Sequence, residues 1–151
     1  MSLQPLPRWL PLANRLVKGV SRIGVALGTV QVLTVPGRVS GQPRSTPVSP
    51  LMVGGREYVI AGVARSQWAE NVRAAGHGTL ARARRRRPVQ LREVKDLDLR
   101  RAVMRAFPRE VPGGVPFFVR LGLVSSGDPD QFAAAADRVK IFEVLEGTLP
   151  P

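Results

Sequence analysis

The sequence contains no cysteine and a single histidine, His77, among its 151 residues. Without thiols the chain has no disulfide, no thiolate zinc site and no thiol nucleophile. A single histidine also excludes a multi-histidine metal centre within one chain. We therefore expect neither a metal site nor a catalytic side chain, and the absence of cysteine suits a reducing cytoplasm.

Aromatic residues are scarce at 5% of the chain, although hydrophobic residues reach 44%. The core should therefore consist of valine, leucine and alanine with a few phenylalanines, in one soluble domain. Acidic residues are also few, 11 against 23 lysines and arginines, and the net charge of +12 predicts a surface that attracts anions. Arginine supplies 20 of those 23, and its guanidinium binds phosphate or carboxylate bidentately. The codon usage of a GC-rich genome would explain the same excess.

No apolar run in the sequence is long enough to span a bilayer. Early prolines and interspersed charges also argue against a signal peptide. Apolar residues instead recur at helical spacing, and they are Trp9, Leu10, Ala13, Leu16, Val17, Val20, Ile23 and Leu27. This predicts an amphipathic helix within residues 1–28, which packs on its own domain or touches the inner face of the membrane peripherally. Residues 29–151 are expected to form one domain of a cytoplasmic protein.

The middle of the chain alternates between strand and helix patterns. Strands are predicted over Val30–Val35, Ser45–Val53 and Glu57–Gly62, the last two joined by a Gly54-Gly55 hairpin. A helix over Gln67–Ala75 should begin at Ser66 as N-cap and end at Gly76. The remaining predictions are strands over Thr79–Ala83 and Pro88–Val94, a helix from Asp96 or Asp98 to Pro108, an ambiguous apolar stretch over Phe117–Val124, a helix from Asp128 to Ala136, and a strand over Val139–Leu145. These elements indicate an α+β fold of about six strands with a closed or half-closed sheet.

Two segments carry recognisable motifs: the run from Gly37 to Pro47 is similar to a G-R-x-S-G-x-x-R-x-x-P signature, and Trp68 to Ala74 looks like a W-x-x-N-L-x-A segment. Both motifs resemble those of the deazaflavin-dependent (coenzyme F-420) nitroreductase-like family. The C-terminal order from Gly127-Asp128-Pro129 to the last strand is also similar. This resemblance covers roughly residues 30 to 146. It implies a six-stranded antiparallel split β-barrel with flanking helices and the N-terminal amphipathic helix.

The resemblance implies binding of 8-hydroxy-5-deazaflavin coenzyme (coenzyme F-420), a polyanion with a phosphodiester and an oligoglutamate tail. Arg38 and Arg44 would hold its phosphate or carboxylates, while Trp68 shapes the ring pocket and Asn71 bonds a polar part of the ligand. The full set of expected cofactor-binding residues is Arg38, Ser40, Gly41, Arg44, Ser45, Thr46, Pro47, Ala61, Gly62, Ala64, Arg65, Trp68 and Asn71. The implied activity is hydride transfer to a small organic acceptor such as a quinone, nitro compound or enone.

Other members resemble one another in tyrosines on the substrate side. The only tyrosine here is Tyr58, and the corresponding loop offers Phe117 and Phe118 instead. The interpretation that competes with a reductase is a non-catalytic deazaflavin- or lipid-binding barrel, or a split barrel that binds FMN or haem. A homodimer is compatible with the resemblance, since related barrels often pair.

Arginines crowd the hairpin predicted between Thr79 and Val94, at positions 82 and 84–87. Such a run could bind nucleic acid or anionic lipid. No aromatic residue that could stack on bases lies among these arginines. We therefore favour a solvated hairpin tip that protects strand edges, and we expect no nucleic-acid partner.

Overall fold

In the computed structural model, residues 30–147 are described, and they form one seven-stranded sheet with four α-helices. The strands are β1 (Gln31–Pro36), β2 (Pro43–Val48), β3 (Leu51–Val53), β4 (Arg56–Ala61), β5 (His77–Arg82), β6 (Arg85–Glu93) and β7 (Lys140–Glu146). The helices are α1 (Gln67–Ala75), α2 (Leu97–Glu110), α3 (Val115–Arg120) and α4 (Pro129–Ala134), with short 3-10 helices at Pro112–Gly114 and Ala136–Arg138. The N-terminal amphipathic helix predicted for residues 1–28 lies outside the described residues. Across residues 30–147, no helix is both long and apolar enough to cross a membrane.

The sheet is antiparallel throughout and runs in the order β2-β1-β5-β6-β7-β4-β3. Strands β2 and β3 therefore lie at opposite ends of this order, yet only Ser49 and Pro50 separate them along the chain. Two residues span only about 7 Å, so the sheet must curl until its two ends meet. The α+β class is thus confirmed, and the sheet forms a curled half-barrel.

Alternation along the strands divides the core into two layers. Val59 and Ala61 of β4 point into a cluster that also receives buried side chains from β1, β2, β5, β6 and β7, together with Ala69 and Val72 of α1. Because six strands contribute to it, this cluster fills the concave side of the sheet. Tyr58 of β4 instead joins a second cluster on the convex side, where the side chains of α2 and α4 cover the sheet. Helix α1 therefore belongs to the inner layer and α2 to the outer one.

The expected six strands are seven, because the strand predicted over Ser45–Val53 is divided into β2 and β3. The break falls at Ser49-Pro50, where proline has no amide hydrogen to donate to a neighbouring strand and has a fixed φ. The hairpin after β3 was predicted correctly. Gly54 and Gly55 adopt φ values of +59° and +77°, which favour glycine at both positions.

The starts of the helices were predicted correctly, but the predicted end of α2 was wrong. Ser66 caps α1, its Oγ accepting the Ala69 N–H at 3.3 Å, and Gly76 ends the helix with φ +71°. Asp96 caps α2, but that helix does not stop at Pro108 as predicted; it continues to Glu110. Pro108 lies in the last turn, where its missing N–H removes one bond, and Val111 N–H still bonds the Phe107 carbonyl at 2.7 Å. Of the ambiguous stretch Phe117–Val124, residues 117–120 belong to helix α3 and residues 121–124 follow it outside any helix or strand.

Candidate functional site

The turn that follows β1 is closed on itself by main-chain hydrogen bonds. Gly37 N–H donates to the Gln42 carbonyl at 2.8 Å, and Gly41 N–H donates to the Gly37 carbonyl at 2.9 Å. Gly41 adopts φ +73°, which a side chain would strain. A Cβ at the buried Gly37 would lie 3.2 Å from the Gln42 carbonyl oxygen, so the turn has little room for any residue but glycine. Arg38 and Ser40 are thereby held at the surface on a compact loop.

Helix α1 runs beside this turn and is anchored in the barrel by its apolar face. Ala69 and Val72 are fully buried in the inner core, and the Trp68 ring packs against it. The centroid of the Trp68 ring lies 6.2 Å from that of Phe142 on β7, with the ring planes tilted by 52°. Trp68 therefore has one side against the core and another available to line a cavity.

Arg38 joins the turn to α1. Asn71 Oδ1 accepts both the Arg38 main-chain N–H at 3.1 Å and its Nη1 at 2.8 Å. Gln67, one helical turn earlier, accepts Arg38 Nη2 through Oε1 at 2.9 Å, and its carbonyl lies 3.5 Å from Nη1. Asn71 is only 6% exposed, so its side-chain oxygen needs these partners to offset burial. The turn and the helix are thus fastened together by one arginine.

A polar groove of about 530 Å³ lies between the turn, β2 and α1. Its donors are Arg38 and Arg44 with the hydroxyls of Ser40, Ser45 and Thr46. No carboxylate lines it among the described residues. Arg44 is exposed and forms no ion pair within residues 30–147, so its guanidinium has all of its N–H groups available for an anion. The groove therefore suits a ligand group that carries several negative charges.

An apolar cavity of about 310 Å³ adjoins this groove, since Thr46 and Trp68 line both. It opens where the two ends of the sheet meet. Its further lining residues are Val30, Pro47, Val48, Ser49, Ile60, Gly62, Val63, Ser66, Phe107, Gly114, Phe117 and Phe118. No charged side chain borders it in the part of the chain that the structure describes. A flat, largely apolar ring system is the kind of group that such walls accept.

Gly62 brings α3 close to the end of β4. A Cβ at this position would lie 2.9 Å from Leu121 Cδ1 and 3.2 Å from Phe117 Cε1, so a side chain here would force these two side chains to move. The Phe117 ring meets Phe118 edge-on, with centroids 5.8 Å apart, and Phe117 keeps 41% of its surface exposed at the cavity. The wall of the cavity thus depends on the glycine that the sequence pattern indicated.

Most of the cofactor-binding residues predicted from the sequence come together here. The groove gathers Arg38, Ser40, Arg44, Ser45, Thr46, Trp68 and Asn71, and the apolar cavity adds Pro47 and Gly62. The other four lie elsewhere. Ala61 is buried in the inner core, Gly41 borders a different hollow beside Pro43, and Ala64 and Arg65 line neither cavity.

The sequence alone did not single out Gln67, Ile60 or Phe107 as site residues. Gln67 could have been found from its position four residues before Asn71, which places both on one face of α1. Ile60 and Phe107 carried no signal, because they come from the outer layer of the core and reach the cavity only through the way the layers pack.

The side chains with acid–base chemistry lie apart from both cavities. Tyr58 is 1% exposed in the outer core, and its burial, together with the nearby Glu143 carboxylate, raises the pKa of its hydroxyl. His77 begins β5 and borders neither the groove nor the apolar cavity. The arrangement therefore offers binding and orientation, and it offers no general acid or base of its own within the described residues.

Solved structures with a TM-score of 0.50 or above share this fold at low sequence identity. A protein of unknown function from Agrobacterium tumefaciens superposes with a TM-score of 0.52 at 14% identity, covering 97% of this chain and 60% of that one. A conserved hypothetical protein from Mycobacterium tuberculosis gives 0.50 at 12% identity, covering 87% and 79%. An F420-H2 dependent reductase gives 0.48 at 17% identity, covering 77% of this chain and 93% of that one.

The chain is thus a curled half-barrel in which a groove rich in cationic donors adjoins an apolar cavity. The chain belongs to the F420H(2)-dependent quinone reductase family, whose model matches residues 13–114, more than half of its length. The resemblance seen in the sequence is thus confirmed at the level of the family. No curated protein matches the chain.

Proposed function

We propose that this protein binds the 8-hydroxy-5-deazaflavin coenzyme and uses its reduced form to reduce a small organic acceptor of the quinone, nitro or enone class. The observation that carries the proposal is the pair of cavities that meet at Thr46 and Trp68, one rich in cationic donors and the other apolar. This division matches the coenzyme, which joins a polyanionic tail to a planar ring. Membership of this family and the several cationic donors of the groove both favour this coenzyme over FMN, which has a single phosphate.

The residues of the groove would hold the phosphodiester and the carboxylates. Arg38 and Arg44 supply guanidinium groups that can each donate two parallel N–H bonds to an oxyanion. Ser40 and Ser45 add hydroxyl donors at the same wall, although Ser45 Oγ already shares a 2.8 Å hydrogen bond with Thr34 Oγ1 across the strands. No carboxylate borders this groove in the described chain, and the nearby Glu70 carboxylate, which interacts with Arg38, is bonded to Lys140.

The residues of the apolar cavity would hold the ring and the acceptor. When bound, the reduced coenzyme supplies a hydride from C5. Trp68, fixed against Phe142, would orient the ring, while Phe117 and Phe118 line the side where an acceptor would enter. These walls exclude water and bring the two reactants together, which lowers the entropic cost of the transfer. Among the described residues no acidic, histidine or tyrosine side chain lines the cavity, so we assign the proton that completes the reduction to solvent at the cavity mouth.

A fluorescence titration with the oxidised coenzyme tests this proposal. Arg38→Ala combined with Arg44→Ala should weaken binding at least about tenfold, or about 1.4 kcal/mol. The matched control removes two exposed arginines that border neither cavity, Arg120 and Arg138, and should leave the dissociation constant almost unchanged. Equal losses in both double variants would reduce the effect to net charge and remove the assigned role of the groove.

Oxidation of the reduced coenzyme by a panel of acceptors then tests turnover. Loss of its absorbance in the presence of a quinone, a nitro compound or an enone would support a reductase. Tight binding of the coenzyme with no oxidation by any of them would show a carrier instead. A parallel titration with FMN measures selectivity, and tighter binding of FMN would contradict the cofactor assignment.

A further inference from the structure

We propose that Gln67 and Asn71 are positioning residues, which hold the Arg38 guanidinium so that its free edge receives an anionic group of the coenzyme. This inference rests on the proposed function, and it assigns these two residues an action through Arg38. Asn71 was expected to bond the ligand itself. Its side-chain oxygen is occupied by two donors from Arg38, which leaves the Nδ2 amide group for any bond to the ligand.

The argument begins with how a guanidinium is shared. It carries five N–H groups on a planar fork, and each edge of the fork can hold two parallel acceptors. In this protein Nη1 bonds Asn71 Oδ1 at 2.8 Å and Nη2 bonds Gln67 Oε1 at 2.9 Å. Both acceptors come from one face of α1, so the helix occupies the edge formed by Nη1 and Nη2. The edge formed by Nε and the second hydrogen of Nη2 has no acceptor among residues 30–147.

The two arginines of the groove differ in how far the protein fixes their side chains before a ligand binds. Arg44 forms no ion pair within the described residues, and each of its rotatable bonds must be fixed when a ligand binds. Arg38 is already fixed, because its main-chain N–H and its guanidinium are bonded to the same helix. A preorganised arginine loses less entropy on binding, so the contribution of Arg38 to affinity should depend on Gln67 and Asn71.

The acceptors on the helix are neutral amides, so they bond Arg38 without cancelling its charge. A carboxylate at either position would satisfy Arg38 and would cancel its charge within the groove. The amide oxygens orient the cation and leave its charge available to the ligand. Asn71 is 6% exposed and anchored in the core, while Gln67 is exposed at the groove, so the first fixes the loop and the second fixes the plane of the fork.

The test compares two probes, the whole coenzyme and its chromophore without the phosphodiester and the oligoglutamate. Gln67→Met keeps the length of the side chain and removes the acceptor. We expect it to weaken binding of the whole coenzyme by about fivefold and to leave binding of the chromophore unchanged. In steady-state turnover the same variant should raise KM for the coenzyme without changing kcat. Asn71→Ala should act in the same direction and more strongly.

A double-mutant cycle separates positioning from a structural effect. In the Arg38→Ala background, Gln67→Met should have no further effect on the dissociation constant, because the residue acts only through Arg38. An equal loss in both backgrounds, or an equal loss for both probes, would overturn the proposal. If the wild type binds the coenzyme and Gln67→Met binds it equally well, the positioning role is overturned and the proposed function is not. A wild-type protein that binds no coenzyme would remove the proposed function as well.

Discussion

Arg100 of α2 spreads its guanidinium over three main-chain carbonyls near the start of β7. Its Nε and Nη2 bond the Ala136 carbonyl at 3.0 and 2.6 Å, its Nη1 bonds that of Val94 at 3.2 Å, and Nη2 also bonds that of Val139. The Val94 and Val139 carbonyls lie outside the helices and strands, and Ala136 begins the last 3-10 helix, so these carbonyls have few main-chain donors. One side chain thus joins the start of α2 to the end of the last 3-10 helix.

We expect Arg100→Lys to destabilise the fold by about 2 kcal/mol, because a lysine keeps the charge but cannot reach three carbonyls at once. Urea denaturation measures the change in the free energy of unfolding. Arg101→Lys is the matched control, since Arg101 is the next residue on the same helix, is exposed and forms only a 3.6 Å pair with Asp98. It should stay within about 0.5 kcal/mol of the wild type. Equal losses in the two variants would deny Arg100 this structural role.

The β5–β6 hairpin is the element where the arginine run lies, and its turn has an unusual backbone. Ala83 adopts φ +53°, the only positive φ outside glycine among the described residues. The arginines do not all crowd the tip. Arg85, Arg86 and Arg87 are in strand β6, and Arg87 Nη2 donates to both carboxylate oxygens of Glu57, at 2.7 Å each.

Ala83→Gly should stabilise the hairpin by about 0.5 kcal/mol. The substitution removes the cost of about 1–2 kcal/mol of a left-handed alanine, and the greater freedom of glycine in the unfolded chain offsets part of that gain. Ala81→Gly, two residues earlier in the buried part of β5, should instead destabilise by about 1 kcal/mol. Opposite shifts of the midpoint of thermal unfolding would support this reading of the turn, and shifts of the same sign would contradict it.

Local signals account for how far the elements could be predicted from the sequence. Helix ends could be predicted at Ser66, Gly76, Asp96 and Asp128, because capping depends on a few adjacent atoms. The division of the strand at Ser49-Pro50 could not be predicted from the local sequence alone, because it reflects the closing of the sheet, in which one segment forms both edges. The prediction that α2 ends at Pro108 was wrong, because a proline in the last helical turn removes only one main-chain hydrogen bond.

The candidate site, too, could be predicted from the sequence only in part. The turn with Arg38 and the helix with Trp68 could be found from residue patterns, since each is contiguous. The bond between them could not, because Arg38 and Asn71 are 33 residues apart and meet only when α1 packs on the inner face of the sheet. Ala61, also named from the sequence, is buried in the inner core and borders neither cavity, a placement that tertiary packing determines.

At the scale of the whole molecule, charge is distributed unevenly. Most of the acidic side chains are already paired, with Arg56, Arg73, Arg87, Arg92, Arg101, Arg105, Arg109 or Lys140 as partners. Several arginines have no acidic partner among the described residues, Arg38 and Arg44 of the groove among them. Protonating the 11 carboxylates would therefore leave 23 lysines and arginines to repel one another. Acid should destabilise this protein more than a change toward alkaline pH of similar size.

Glu70 gives this expectation a specific test. Its carboxylate accepts a 2.5 Å hydrogen bond from Lys140 Nζ, joining α1 to β7, and this bond lowers the pKa of Glu70 below its ordinary value of 4.5. Because the folded pKa is the lower one, the contribution is fully present above 4.5 and is lost as the pH falls through the folded pKa. The stability difference between wild type and Glu70→Gln, measured by thermal unfolding from about pH 7 to pH 3, should therefore shrink toward acid. Glu146→Gln removes an exposed carboxylate that forms no ion pair in the described chain, and it should show no such trend. A difference for Glu70→Gln that stayed constant across this range would mean that packing, rather than the charge of the pair, holds α1 to the sheet.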